Sequence, residues 1–291
     1  MVSMNATKRT TCHKREPIVP VAREPESVTI DPRRRGLLGA LLCAPLLAHA
    51  ASAQRPVVPI LVYHRFAGTV VDSMTVRVAN FEAHLRLLER LACNVVPLAD
   101  WVDRRRGERP TLPPRAVVLT ADDGHRSQVD VMAPRLRERG WPMTLFIYPS
   151  AISNASYAMT WDQLRELADG PEFTVQSHTY WHPNLLRERQ RLPPDVFRQF
   201  AADQLQRSRN VLQQRLLKPI SLLAWPFGLS DEGLCTQAAE SGYLAAFSLG
   251  NRSATIQDPL YAVPRHLMVD SIDERQLGAR LEAAFAAGDA A

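Results

Sequence analysis

At 291 residues the chain is long enough for one large α/β domain or two small ones, with ample sequence for a sizeable core. Its formal charge of +5 is unevenly placed: residues 1–53 hold eight of the 35 Lys/Arg and four of the 30 Asp/Glu, which leaves 27 basic against 26 acidic residues in the remainder. That near-balance removes net charge as a reason to expect nucleic acid or another polyanion as partner.

The basic leader has the layout of an export signal. Arg33-Arg34-Arg35 precede the apolar stretch Gly36 to Ala48, and small-residue sites follow at Ala48-His49-Ala50 and Ala51-Ser52-Ala53. The expected division is therefore an export signal region over 1–53 and a catalytic domain over 54–291, delivered to the periplasm or beyond the cell. Gly36 to Ala48 is too short to span a bilayer. Arg34-Arg35-Gly36-Leu37-Leu38 is similar to a twin-arginine signal, and an ordinary secretory signal with three arginines fits the same residues. Leu42 stands where a lipidated Cys43 would need a small residue. Beyond Ala53 only Cys93 and Cys235 remain, spaced unlike a thiolate metal site; one disulfide and two free thiols both fit. No second long apolar segment follows, so no transmembrane span is expected in the mature chain.

From residue 57 onward, strand-like and helix-like runs alternate. Val57 to Tyr63 is an apolar strand ending at His64, and Phe81, Leu85, Leu88 and Leu91 mark a helix. Arg104 to Pro114 reads as a polar connection, Val117 to Thr120 as a strand, and Val129 to Arg139 as a helix stopped by Gly140. Strands at Thr144–Tyr148 and Phe173–Ser177 enclose a helix over Thr160–Ala168. After a loop from Pro183 to Pro194 come a long helix from Asp195 to about Leu217 and a strand at Ser221–Trp225. A helix capped by Ser230, a strand at Leu244–Leu249, a short strand at Tyr261–Val263 and a helix over Asp273–Ala287 complete the chain. Some seven apolar strand and helix units predict a parallel sheet covered outside by helices, closed as a distorted (β/α)7-type barrel in a single catalytic domain. His64, Asp122-Asp123, His178 and Pro226-Phe227 then share the C-terminal rim, where barrel enzymes assemble their sites.

The chemistry is concentrated in two patches, Asp122-Asp123-Gly124 and Ser177-His178-Thr179-Tyr180-Trp181-His182-Pro183. Two carboxylates a few Å apart raise one another's pKa unless a cation or a division of labour separates them. Asp123 with His178 and His182 makes a set of two imidazoles and one carboxylate, which on a divalent metal leaves room for water. Asp122 is then free to serve as the base on that water. Zinc suits such ligands, as do cobalt, nickel and iron. A capping aspartate or a structural histidine explains each residue singly but not the joint pattern.

These residues resemble the polysaccharide deacetylase family, the NodB-homology or carbohydrate esterase 4 group. Its Thr-Phe-Asp-Asp-Gly motif appears as Thr120-Ala121-Asp122-Asp123-Gly124, and its His-Ser/Thr-x-x-His-Pro motif as His178 to Pro183. The segments Leu61-Val62-Tyr63-His64-Arg65-Phe66 and Ala224-Trp225-Pro226-Phe227-Gly228 further resemble the branch that deacetylates poly-N-acetylglucosamine of biofilms. The resemblance implies a metal-dependent hydrolase that removes N-acetyl groups from an amino-sugar polysaccharide, poly-β-1,6-N-acetylglucosamine above all, and releases acetate. It implies His64 as general acid, with His266 as rival, and the Phe227 backbone N–H in an oxyanion hole. Three positions depart from the pattern. Ala121 replaces a phenylalanine, His125 stands where an aromatic is common, and Ala224 occupies the place of an arginine that pairs with the base, for which Arg265 is the expected substitute. Trp181, Tyr180 and Trp161 are expected to floor a sugar groove, with Trp225 also touching substrate. Other readings keep the site and change the role: an O-acetyl esterase, a deacetylase of peptidoglycan or another amide, or a non-catalytic carbohydrate-binding protein with a structural metal.

Overall fold

In a computed structural model of the protein, residues 57–109 and 111–289 are described. The expected export signal over 1–53 lies outside them. With the short strand Asn94–Val95 pairing beside Ala116–Val117 as an eighth, seven parallel strands form the path of the main sheet: β1 (Ile60–Tyr63), β2 (Ala116–Asp122), β3 (Met143–Ile147), β4 (Phe173–Ser177), β5 (Leu222–Ala224), β6 (Ala245–Phe247) and β7 (His266–Leu267). They lie in the order β6-β5-β4-β3-β2-β1-β7. Parallel bridges Phe247 to Val263 and Gly250 to His266 cross the remaining seam. The result is a curved, nearly closed (β/α)7-type barrel of mixed α/β class, as the alternation predicts.

The period of two along each strand sorts side chains into an inner and an outer core. Ile60, Val118, Phe146, Leu222, Ala224, Ala245 and Phe247 join the inner cluster, while their neighbours Leu61, Val117, Leu119, Leu145, Ile147, Leu223 and Ala246 join the outer one under the helices. Asp122 continues the alternation begun by Val118 and Thr120, so a carboxylate sits at the mouth of a fully buried strand.

The helices are α1 (Val78–Arg90), α2 (Leu98–Arg106), α3 (Ala133–Arg137), α4 (Trp161–Asp169), α5 (Leu185–Arg191), α6 (Pro194–Leu216), α7 (Glu232–Glu240) and α8 (Glu274–Asp289). Four differ from expectation. The polar stretch from Arg104 is the end of α2, held by buried Leu98, Trp101 and Val102 and closed by Gly107 at φ 82°. The Pro183–Pro194 loop contains α5, whose N-cap Asn184 accepts from the Arg187 N–H; with only Leu185 buried, it leaves little periodic signal. The helix expected over 129–139 opens as a π turn at Gln128–Met132 before α3, with a proline in the first turn of α3. Asp231 rather than Ser230 caps α7, accepting from the Leu234 N–H. The last barrel strand falls at His266–Leu267, a few residues beyond the expected Tyr261–Val263, because it pairs with Leu61 and Val62 of β1. Cys93 and Cys235 are both free. Among the described residues no helix is long and apolar enough to cross a membrane.

Candidate active site

Three loops at the C-terminal rim carry the motif residues, and all three are bent in the same unusual way. Asp123 (φ 77°), Thr179 (φ 63°), His182 (φ 64°) and Phe227 (φ 59°) adopt the left-handed region that costs a non-glycine residue about 1–3 kcal/mol. The strain is held by hydrogen bonds: the Asp123 N–H donates to Phe146 O (3.0 Å) and the His178 N–H to Ile147 O (2.9 Å). At Gly228 (φ 69°) an added Cβ would lie 2.5 Å from the backbone nitrogen of Leu249, so only glycine fits beneath the Phe227 turn.

These turns bring Asp123, His178 and His182 together. Asp123 Oδ1 lies 3.6 Å from His178 Nε2 and 3.7 Å from His182 Nε2, and the three ligating atoms fall within 4.8 Å of one another. His178 Nδ1 is 2.8 Å from Ala224 O, which fixes that nitrogen as the donor and leaves Nε2 a lone pair toward the aspartate. Burial drives the His178 imidazole down to about pKa 3 against the opposing pull of Asp122, and burial lowers His182 as well. Two neutral imidazoles therefore face Asp123 Oδ1, a buried oxygen with no hydrogen-bond partner. Burial, with Asp122 beside it, pushes the Asp123 carboxyl above its ordinary range despite His64 and Arg65. An orphaned buried carboxylate oxygen and two imidazole lone pairs form a donor set that fits a divalent cation.

Asp122 is in the opposite state. Arg265, with no exposed surface, donates from both terminal nitrogens to Oδ1 (2.8 Å) and Oδ2 (2.7 Å). Burial alone would raise the Asp122 carboxyl, but Arg265, His178 and His64 together hold it down at about 2. The guanidinium also reaches Thr120 Oγ1 (3.2 Å) and lies over the Phe146 ring at 5.1 Å. Gln128, on the π turn, donates to the main-chain oxygens of both His64 (2.9 Å) and Asp122 (2.6 Å) and so ties β1 to β2 at the rim.

His64 is buried against this centre with Nδ1 unpartnered. His266 faces elsewhere: Nε2 pairs with Ser253 Oγ at 3.0 Å, and burial, together with Arg280, lowers its imidazole to about 4. Arg65 lies 3.8 Å from Asp123 Oδ2 and 2.6 Å from Asp72 Oδ2. In the Pro226–Gly228 turn, Gly228 and Leu229 donate the closing bonds to Trp225 O and Pro226 O, and the Phe227 N–H takes no part in either. The exposed Phe227 ring sits 4.7 Å from the His182 ring.

The aromatic expectations fare unevenly. Trp225 is fully buried with Nε1 donating to Tyr261 O (2.8 Å), so it is core and does not touch substrate. The alternation that puts Ala224 in the inner cluster puts Trp225 in the outer one, a signal already present in the sequence. Trp181 is 45% exposed and packs edge-on to Phe200, whereas Tyr180 carries the Arg207 guanidinium on its ring at 3.8 Å. Trp161 likewise lies under Arg215. Sequence reasoning assigned no role to Tyr148, which follows β3 and leans on His182 at 5.3 Å, nor to Tyr157, Gln128 or Arg65.

Residues 109–246, which include both aspartates, both histidines and Phe227, match the family model described as polysaccharide deacetylase. Over that segment, just under half of the chain, the protein is similar to the polysaccharide deacetylase family. It is 24% identical to the putative polysaccharide deacetylase YxkH of Bacillus subtilis over 229 residues, 77% of this chain and 76% of that protein. It is 21% identical to a poly-beta-1,6-N-acetyl-D-glucosamine N-deacetylase of Staphylococcus epidermidis, over 68% of this chain and 69% of that protein. In fold it is similar to the Streptococcus pyogenes deacetylase PplD in complex with acetate: TM-score 0.69 and 19% identity over 78% of this chain and 99% of that one. The likeness to polysaccharide deacetylases marks the chain as a hydrolase, and two of its site residues, His64 and Arg265, lie outside the matched segment.

The depressed values give the protein an acid limb of instability. For His178, about 3 against 6.5, and for Asp122, about 2 against 3.8, the unfolded chain binds the proton more readily. Stability therefore falls with pH, first from 6.5 toward 3 through His178 and then below 3.8 through Asp122. Urea midpoints of chelator-treated protein followed from neutrality to about pH 3 should decline overall, with the raised Asp123 carboxyl offsetting part of the loss. A flat profile would show that neither group is buried as described.

Proposed function

We propose that the chain is an exported, metal-dependent N-deacetylase that removes acetyl groups from poly-β-1,6-N-acetylglucosamine, leaving free amines on the polymer. The observation that carries this reading is the partition of the two adjacent aspartates. Asp123 turns an unpartnered oxygen toward His178 and His182, whereas Asp122 is kept ionised by Arg265. The likeness to the S. epidermidis enzyme supports the substrate, and the Arg33-Arg34-Arg35 leader supports export.

A divalent cation held by Asp123, His178 and His182, zinc being the best match to two nitrogens and one oxygen, supplies Lewis acidity toward the acyl carbonyl and acidifies water. The residues of the chain supply the rest. Asp122, ionised at any neutral pH, takes the proton from the attacking water. The Phe227 N–H, unused in its own turn, donates to the oxygen of the tetrahedral intermediate. His64 hands a proton to the departing nitrogen as the C–N bond breaks, giving acetate and the amine. Arg265 and Gln128 hold Asp122 and the His64 backbone in place.

Acetate release from β-1,6- and β-1,4-linked N-acetylglucosamine oligomers by metal-reconstituted protein tests the proposal. Faster release from the β-1,6 oligomer is expected; saccharide binding without acetate at any metal loading would overturn it. On the same substrate His64→Ala should lose roughly 10²–10⁴-fold and His266→Ala far less. Equal, mild losses would remove His64 from the mechanism.

A further inference from the structure

Outside the acid, base and metal-ligand set, one group of side chains is built onto the rim without a role in those steps. Tyr148 touches His182 at 5.3 Å and His178 at 6.4 Å between ring centres. Its hydroxyl meets that of Tyr157 at 2.5 Å. The Tyr157 ring is 41% exposed and runs parallel to that of His125, 6.2 Å away and 8° from parallel. The loop bearing Tyr157 is fastened to the motif segment itself, by the Arg126 N–H to Tyr157 O (2.9 Å), the Met159 N–H to Gly124 O (3.0 Å) and the antiparallel bridge His125 to Ala158. His125 is oriented in turn by Ser127, whose Oγ lies 2.8 Å from Nδ1.

A large ring left exposed normally swings between rotamers; here a hydroxyl pair at its tip and a backbone pair at its root fix its plane. The plane begins within one aromatic ring of a metal-ligating histidine. Pyranose rings offer patches of C–H groups that pack on aromatic faces, with hydroxyls around the edge for polar neighbours. We infer that Tyr157 and His125, held by Tyr148, form the platform that seats the sugar ring adjoining the scissile acetamide. This inference rests on the proposed deacetylase reading and names the surface by which the polymer is held. It adds Tyr157 and His125 to the sugar contacts expected of Trp181 and Tyr180.

Tyr157→Ala should raise KM for an N-acetylglucosamine oligomer about tenfold with little change in kcat, and His125→Ala should do so severalfold. Tyr157→Phe keeps the ring but loses the hydroxyl that holds it, and should fall between the wild type and Tyr157→Ala in KM. Direct titration of the oligomer into Asp122→Asn protein, with and without Tyr157→Ala, reads the same loss without turnover. Unchanged affinity in the alanine variant, or a fall in kcat at constant KM, would overturn the platform. If wild-type protein releases no acetate yet Tyr157→Ala still weakens oligomer binding, the deacetylase reading fails and the platform stands.

Discussion

Asp122→Asn is expected to reduce acetate release by roughly 10²–10⁴-fold while metal content stays at the wild-type level. The two halves of the result follow from separate pieces of geometry. The proposed metal donors Asp123, His178 and His182 are untouched, so metal per chain should not move. The amide nitrogen of asparagine has no free lone pair with which to take a proton from water. Measuring metal by atomic absorption beside acetate on one sample separates the roles, and full activity in that variant would end the base assignment. Loss of metal together with activity would instead make Asp122 a ligand.

Arg265→Leu should cost about 3–5 kcal/mol of stability, because it removes one partner of a fully buried ion pair and leaves the other charge uncompensated. Its effect on chemistry is also signed. Without the guanidinium, burial is the largest influence on Asp122 and pushes its carboxyl upward, so protonated and inactive enzyme accumulates at a pH where the wild type is ionised. The acid limb of the pH–rate profile therefore moves to higher pH. Pairing Arg265→Leu with Asp122→Asn removes both charges, and the double variant should be more stable than Arg265→Leu alone, as denaturant midpoints will show. An Arg265→Leu protein with wild-type stability and an unmoved pH profile would sink the pairing as a working feature.

Much of this centre was legible before any coordinates. Strand alternation along Val117–Thr120 and its counterparts gave the barrel, and the joint pattern of Asp123, His178 and His182 pointed to three residues whose ligating atoms lie within 4.8 Å of one another. Arg265 was reachable only as the substitute for an arginine missing at Ala224, and its side chain meets Asp122 across 143 residues. Gln128 was hidden because a π turn, not a regular helix, carries it to the rim. Tyr148 and Tyr157 were invisible for a different reason: their pairing depends on how the loop after β3 packs on Gly124 and Arg126, a contact with no periodicity to announce it. Trp225 was misplaced by its closeness to Pro226-Phe227, although a period of two pointed it the other way.

The seam between β6 and β7 gives the Asp122–Arg265 pair a meaning in time as well as space. Arg265 stands one residue before β7, and its carbonyl accepts the Gly250 N–H as that seam is drawn together. A nascent or clipped chain that ends before this residue can hold the paired aspartates and both histidines, yet it lacks the cation that keeps Asp122 ionised. Competence thus requires that the C-terminal strand be docked. Activity during refolding should not return before that strand has docked.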